Sequence, residues 1–427
     1  MIQEIKIKNF LSFKDEVKFS FEASSDKFAE DSQVVKINEN TRLLRFAIVY
    51  GYNASGKSNL LKAFDFLSRF WIRTPKDIDM KTGALPFKLD MDSPKEHSIF
   101  ELLFYVDGLK YKYYLELDEN YVYLEKLSYY KSTQPIKLFE RKLEKEQSIV
   151  SFGEPIKISS VVKEKIEVNC LKNMSFFAAR NQVNTTIPLI DAAKDNLRKK
   201  IMQMITPTSK LMQYAQRKTS QNPELSEHIV DFLREADFNI TGIKTDVTEE
   251  AIPEELMNMI LHEDQLSNEA KEKIRNERSY KQLRTEFEHT VENERGIERY
   301  LLDPAKDEES TGTLRTFGIE TAIYNAIQKN ALLSIDEIET SLHPKLLEVI
   351  LYGYLKAESE SQLIVTTHND GLLDLVDDLI RKDSVWFTEK DKAGVTDLYK
   401  LTDFRGVNRL SSIREAYRNK RFGATMK

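Results

Sequence analysis

Gly51-Tyr52-Asn53-Ala54-Ser55-Gly56-Lys57-Ser58 satisfies the pattern G-x-x-x-x-G-K-[ST] at every fixed position. Phe46-Ala47-Ile48-Val49-Tyr50, just before it, is a short continuous apolar run that predicts a buried strand. After it, Leu60, Leu61, Phe64, Leu67 and Trp71 recur at helical spacing. A strand, a glycine loop and a helix N-terminus in that order make an anion site, because successive backbone N–H groups converge and the helix dipole favours negative charge. Gly51, Asn53, Ala54, Ser55 and Gly56 form the cradle. Lys57 is placed to reach β- and γ-phosphates, and the Ser58 hydroxyl to help hold Mg²⁺. A chance glycine turn would not come with both flanking elements. Nucleotide binding is the expectation.

Composition narrows the setting. A chain of 427 residues suggests two or three domains, and 41% hydrophobic residues are enough for real cores. There is no run of eighteen apolar residues to predict a membrane span. The opening Met1-Ile2-Gln3-Glu4-Ile5-Lys6 lacks a signal-peptide core and reads as a strand. Cys170 is alone, which excludes an internal disulfide and a cysteine metal cluster. These features point to the cytoplasm. A net charge of −6 argues against a surface coated in positive charge, while leaving room for a local basic patch.

Three further stretches carry chemistry. Ala331-Leu332-Leu333-Ser334-Ile335-Asp336-Glu337 is an apolar strand ending in two acids. Beside a phosphate loop, Asp336 is a candidate Mg²⁺ ligand, and Glu337 is placed to orient or deprotonate an attacking water. Gln362-Leu363-Ile364-Val365-Thr366-Thr367-His368 is a second such strand, whose His368 is either structural or a contact to the γ-phosphate. Glu309-Ser310-Thr311-Gly312-Thr313 precedes a helical run, so Ser310 and Gly312 make either a helix cap or a second anion site.

The order of these pieces resembles ABC-type ATPase heads: Walker A at Gly51–Ser58, a signature-like Glu309-Ser310-Thr311-Gly312, Walker B at Leu332–Glu337 and a switch His368. The opening Ile5-Lys6-Ile7-Lys8-Asn9-Phe10-Leu11-Ser12-Phe13 looks like the first strand of the SMC/RecF branch. Ile335-Asp336-Glu337-Ile338-Glu339-Thr340-Ser341-Leu342-His343-Pro344 is similar to the bacterial AAA-type ATP-binding proteins with ABC-like heads. So is the ending Tyr417-Arg418-Asn419-Lys420-Arg421-Phe422-Gly423-Ala424. Relatives in that group include phage-defence ATPases of the AbiL/RloA kind and, more distantly, the PARIS ATPase and OLD nucleases. The signature departs from the transporter form Leu-Ser-Gly-Gly. A glutamine loop has Gln182 or the nearby Arg180 as candidates, and Gln182 is equally readable as a surface residue.

The resemblance covers roughly residues 1–190 and 300–427 and implies an α/β fold, a P-loop ABC-type ATPase head with an antiparallel side sheet; the charged middle matches no named family and reads by its composition as an inserted helical arm. Residues 1–190 would be the N-terminal part of the head, with the hairpin turn Asp107-Gly108 inside its sheet. Residues 191–300, dominated by Glu, Lys, Arg, Gln and Leu, would be the helical arm, with Leu256–Ile260 and Glu269–Arg295 as helices. Residues 301–427 would complete the head, and Glu292–Glu309 reads as a loop. It further implies ATP and Mg²⁺ as ligands, ATP hydrolysis, and a homodimer, or a larger assembly of dimers, in which one copy's signature meets the other's ATP. The expected role is sensor or scaffold in antiphage defence beside a separate effector, a Toprim-like or other nuclease. A RecF-like repair ATPase that binds DNA directly is the alternative. Nucleic acid is a candidate partner through the basic tail Arg405, Arg409, Arg414, Arg418, Lys420 and Arg421; a membrane is not. A guanine reader is excluded because Asn419-Lys420-Arg421-Phe422 carries no acid.

Overall fold

The computed structural model describes residues 1–236, 239–261, 272 and 279–425. These divide into two compact units. The first is Met1–Pro207, Asn325–Thr340 and Leu347–Lys427; the second is Thr208–Tyr324 and Ser341–Leu346. The divisions therefore fall at 207 and 324 rather than at 190 and 300, which puts Ser310 and Gly312 in the second unit.

The first unit opens with β1 (Ile2–Lys8), where a strand was expected, antiparallel to β2 (Val17–Ser20). β3 (Val34–Asn38) and β4 (Thr41–Leu44) form a separate pair. β5 (Phe46–Tyr50) is buried at every residue, as its unbroken apolar run predicts, and leads into the helix Lys57–Phe70. β6 (Ser98–Val106) and β7 (Leu109–Leu117) alternate buried and partly exposed residues and turn at Asp107-Gly108, both at positive φ (49° and 76°) as a tight hairpin requires. β8 (Val122–Tyr130), β9 (Pro135–Glu144) and β10 (Gln147–Phe152) continue the side sheet, in the order β10-β9-β8-β7-β6-β1-β2.

The middle of the chain corrects the sequence reading. Helices Pro188–Lys200, Leu211–Gln221, Pro223–Glu235 and Glu254–Leu261 are present. However, β11 (Ile240–Ala251), β12 (Ser279–Asn293) and β13 (Gly296–Leu302) form an antiparallel sheet where charged helix and loop were expected. Of the expected helix Glu269–Arg295, residues 269–271 and 273–278 lie outside the described residues. Glu and Lys favour helix by propensity, but here the period-2 apolar and β-branched positions prevail. Thr285 and Phe287 are buried on one face, Thr245 and Thr285 hydroxyls meet across strands at 2.8 Å, and Phe287 packs edge-on against Phe317 at 5.3 Å.

The chain returns to the first unit with β14 (Leu332–Ile335), β15 (Gln362–Thr367), β16 (Val385–Lys390) and β17 (Thr396–Lys400). The second sheet of this unit runs β14-β15-β5-β16-β17, parallel except for β17. The helix Lys57–Phe70 packs between this sheet and the side sheet. Its Leu60, Leu61, Phe64 and Leu67 belong to one buried cluster with Ala47, Val49 and Ile364, and with Phe19 and Phe100. Among the described residues no helix is long and apolar enough to cross a membrane. Phe64 sits at the join, edge-on to Phe19 at 6.3 Å. Phe64→Ala should destabilise the first unit by about 3–5 kcal/mol, read as a lower denaturant midpoint with an unchanged slope.

Candidate functional site

The phosphate loop starts where β5 ends, in the middle of the parallel sheet. It turns through Ala54 (φ 62°) and Gly56 (φ 110°). A Cβ at Gly51 would come within 2.4 Å of Ser55 Oγ and 2.5 Å of Thr388 Oγ1, and one at Gly56 within 2.4 Å of Thr396 Oγ1. Both glycines are therefore required by what packs behind the loop. Thr396 Oγ1 lies 2.8 Å from the Ser55 carbonyl and 2.7 Å from Ser12 Oγ, and Asn59 donates to Ser12 Oγ at 2.6 Å. Asn53 and Ala54 are exposed at the loop tip. No side chain caps the helix that follows; the Asn59 N–H is bound to the Gly56 carbonyl at 2.9 Å, and the uncapped N-terminus suits an anion at the Lys57 and Ser58 N–H groups.

Lys57 is buried and curls over the loop. Its ammonium donates to the carbonyls of Gly51 (2.8 Å) and Tyr52 (3.3 Å) and reaches the His368 ring at 3.2 Å. Ser58 donates to Asp336 Oδ1 at 2.9 Å, although the two lie on different elements 278 residues apart. Parallel pairing explains the meeting. β15 lies between β14 and β5, so the ends of all three strands open on the same edge. On β15, Thr366 donates to Asp336 Oδ1 at 2.6 Å and accepts the Glu337 backbone N–H at 2.8 Å. Glu337 itself has φ 47°, a left-handed backbone that an ordinary side chain adopts at a cost of roughly 1–2 kcal/mol. Its Oε1 is 3.5 Å from His368 Nε2. A hydroxyl and a buried carboxylate side by side at the mouth of a phosphate cradle fit Mg²⁺, which takes one or two protein oxygens and completes its shell with phosphate and water.

The structure thus brings Gly51, Asn53, Ala54, Ser55, Gly56, Lys57, Ser58, Asp336, Glu337 and His368 together in one unit. Ser310 and Gly312 lie in the other. There Ser310 caps the helix Thr311–Lys329, accepting the Thr313 N–H at 3.0 Å, and a Cβ on Gly312 would sit 3.1 Å from the Ser341 carbonyl. Gln182 is exposed in the turn after the helix Phe176–Arg180, and no hydrogen bond described for the phosphate loop reaches it. Arg180 is buried and engaged with the Val183 and Thr185 carbonyls and Asp191, which removes it as a glutamine-loop substitute. In the basic tail, Arg414 and Arg418 bind Asp370 rather than standing free. Arg405, Arg409 and Arg421 make no ion pair among the described residues; the first two line an open cavity of about 1000 Å³ with Lys382 and Asp26.

Sequence reasoning passed over Thr366, Ser12, Thr396 and Glu339, whose carboxylate accepts the His368 backbone N–H. It also passed over His289, on β12, which holds Glu309 of the signature-like segment. A signal existed for Thr366: a hydroxyl inside an otherwise apolar strand has to find a partner.

The family model described as "AAA domain, putative AbiEii toxin, Type IV TA system" matches residues 46–166 and 222–374, well over half of the chain. The chain belongs to this family. The resemblance to bacterial AAA-type ATP-binding proteins is met by it. No curated protein matches the sequence. Among solved structures, the SMC head domain from Thermotoga maritima is 13% identical with a TM-score of 0.40, covering 93% of this chain and 98% of that one. An SMC head bound to the C-terminal winged-helix domain of ScpA is 12% identical with a TM-score of 0.40, covering 98% and 99%.

Burial lowers the Lys57 pKa to about 8, opposed by Asp336, Glu337 and Glu339. Phosphate needs the ammonium form. Affinity for a phosphate-bearing nucleotide should therefore be steady well below pH 8 and fall as pH rises through it, by up to tenfold per unit above it. Lys57→Arg, protonated throughout, should bind more weakly but without that fall. Nucleotide titrations from pH 7.5 to 9.5 measure both.

Proposed function

We propose that this chain binds ATP with Mg²⁺ at Gly51–Ser58 and hydrolyses it to ADP and phosphate. The observation that carries the reading is the convergence of Lys57, Ser58, Asp336, Glu337 and His368 at the ends of three neighbouring parallel strands. Loop N–H groups and Lys57 bind the phosphates. Ser58 and Asp336 would hold Mg²⁺, which when bound neutralises phosphate charge. Glu337 accepts a proton from water as the water oxygen bonds to the γ-phosphorus and the bond to the β–γ bridging oxygen breaks. His368, hydrogen-bonded to Lys57, contacts the γ-phosphate and orients the water together with Glu337.

One chain has one Walker A and one signature-like segment. By resemblance to ABC-type heads, Ser310 and Gly312 of a second copy complete the site, so that two copies enclose two ATPs and hydrolysis opens the pair. The family's description names a putative AbiEii toxin, which supports a role in antiphage defence. In that role the ATP-driven pair is a sensor or scaffold in the cytoplasm, and a separate nuclease, Toprim-like or other, is its effector. A RecF-like ATPase acting directly on DNA is the second reading. It is favoured by Arg405 and Arg409, which line an open cavity, and it predicts DNA binding that these two residues support.

Lys57→Ala should lose nucleotide binding. Glu337→Gln should keep binding while turnover drops about 10²-fold or more, since the proposed Mg²⁺ ligands remain and the base is gone. Normal turnover in Glu337→Gln would remove Glu337 from this role.

Ser310→Arg should bind ATP and fail to hydrolyse it. Mixed with Lys57→Ala protein, it should recover part of the activity, because a mixed pair contains one intact loop facing one intact Ser310. No recovery despite proven subunit exchange would argue against a shared site. Phage plating on cells that carry this gene with and without a neighbouring nuclease gene separates the defence reading from the repair reading. Protection that needs both genes supports defence.

A further inference from the structure

His368 is held from beyond the phosphate loop. Two residues after it, Asp370 begins the short 3₁₀ turn Asp370–Leu375, with Asn369 as its cap. Both Asp370 oxygens are taken by the helix Ile413–Arg418. Arg418 Nε donates to Oδ2 at 2.5 Å and its Nη2 to Oδ1 at 3.1 Å, while Arg414 Nε reaches Oδ1 at 3.2 Å. Arg414 Nη1 also donates to Asp374 Oδ2 at 2.6 Å, at the other end of the same turn. The Arg418 hydrogen bond is the first cause holding the Asp370 pKa below its usual range. A single exposed pair contributes little, but two guanidinium groups sharing one carboxylate in a two-pronged arrangement fix geometry as well as energy.

The same helix touches the start of the phosphate loop. Tyr417 stacks on Phe387 at 5.7 Å and lies 5.9 Å from Tyr50, the residue before Gly51. The segment that follows locks it there: Tyr417 donates to the Ala424 carbonyl at 2.9 Å, and Phe422 is fully buried against Phe387. One short helix therefore braces both the strand end that carries Lys57's loop and the turn that carries His368.

We propose that the segment Arg414–Ala424 is a positioning clamp for hydrolysis. Through Asp370, Arg414 and Arg418 keep His368 in register with Lys57 (3.2 Å) and Glu337 (3.5 Å). This inference rests on the ATPase reading above. Neither arginine touches the phosphate loop, so the clamp governs turnover rather than nucleotide affinity.

The test compares the full-length wild type with Arg414→Ala/Arg418→Ala, measuring ATP affinity, the fraction of protein that binds nucleotide, KM and kcat. The clamp predicts affinity, KM and binding fraction within about twofold of wild type and kcat reduced about tenfold or more. Arg418→Lys, which keeps the charge and loses the fork, should fall between. A purely structural role would instead lower the fraction that binds and leave kcat per bound site unchanged, which would overturn the proposal. Should the double variant fail to fold, Asp370→Asn carries the same expectation with its shape retained. Wild-type kcat in that variant would also overturn the clamp. If wild type itself shows no turnover, the ATPase reading falls and the clamp with it; normal wild-type turnover beside unaffected variants sinks the clamp alone.

Discussion

Everything at the site depends on the buried carboxylate of Asp336. It directly follows β14, and its Oδ1 receives Ser58 from the phosphate-loop helix and Thr366 from β15. A polar group so deep is tolerable only with such donors around it. Its own backbone N–H is bound by the Ile205 carbonyl, from a segment that runs alongside β14. One acid therefore joins three elements that are far apart in sequence. Movement of the loop helix against β14 would separate the Ser58 hydroxyl from the carboxylate and take apart the pair proposed to hold Mg²⁺.

The loop is stiffened from behind in a similar way. Ser12, from the turn between β1 and β2, and Thr396, from β17, form a small hydroxyl network against the Ser55 carbonyl and Asn59. Gly51 and Gly56 leave no room for a side chain on that side. The first hairpin of the chain belongs to the side sheet, and through Ser12 it also supports the phosphate cradle. The aromatic layer of Phe19, Phe64 and Trp386 joins the same parts through their cores. Preorganisation of this kind lets a site meet charge without rearranging around it.

The basic tail shows how composition can mislead. Six cations within seventeen residues suggest a surface for polyanions, yet two of them are engaged by acids of this chain: Arg418 by Asp370, and Arg414 by Asp370 and Asp374. Their positive charge is geometry for a neighbouring loop. Arg405, Arg409, Lys420 and Arg421 keep the character that the sequence suggested for the whole run, since no acid among the described residues pairs with them.

The chain's own order of residues determined the strand, glycine loop and helix at 46–70, the acid strand at 332–337 and the hairpin at Asp107-Gly108. In each, local geometry leaves few alternatives: glycines at positive φ, continuous apolar runs, helical apolar spacing. It did not determine the sheet formed by β11, β12 and β13, because Glu and Lys on exposed strand faces carry helical propensity while the deciding alternation of Thr285 and Phe287 is brief. Nor could it place Thr366 under Asp336, Glu339 on the His368 backbone or Asp370 between two arginines. Those meetings follow from β15 inserting between β14 and β5, a parallel pairing that joins residues hundreds of positions apart and leaves no periodic trace in the sequence. Local pattern named the parts of the site, and the order of strands in the sheet made them neighbours.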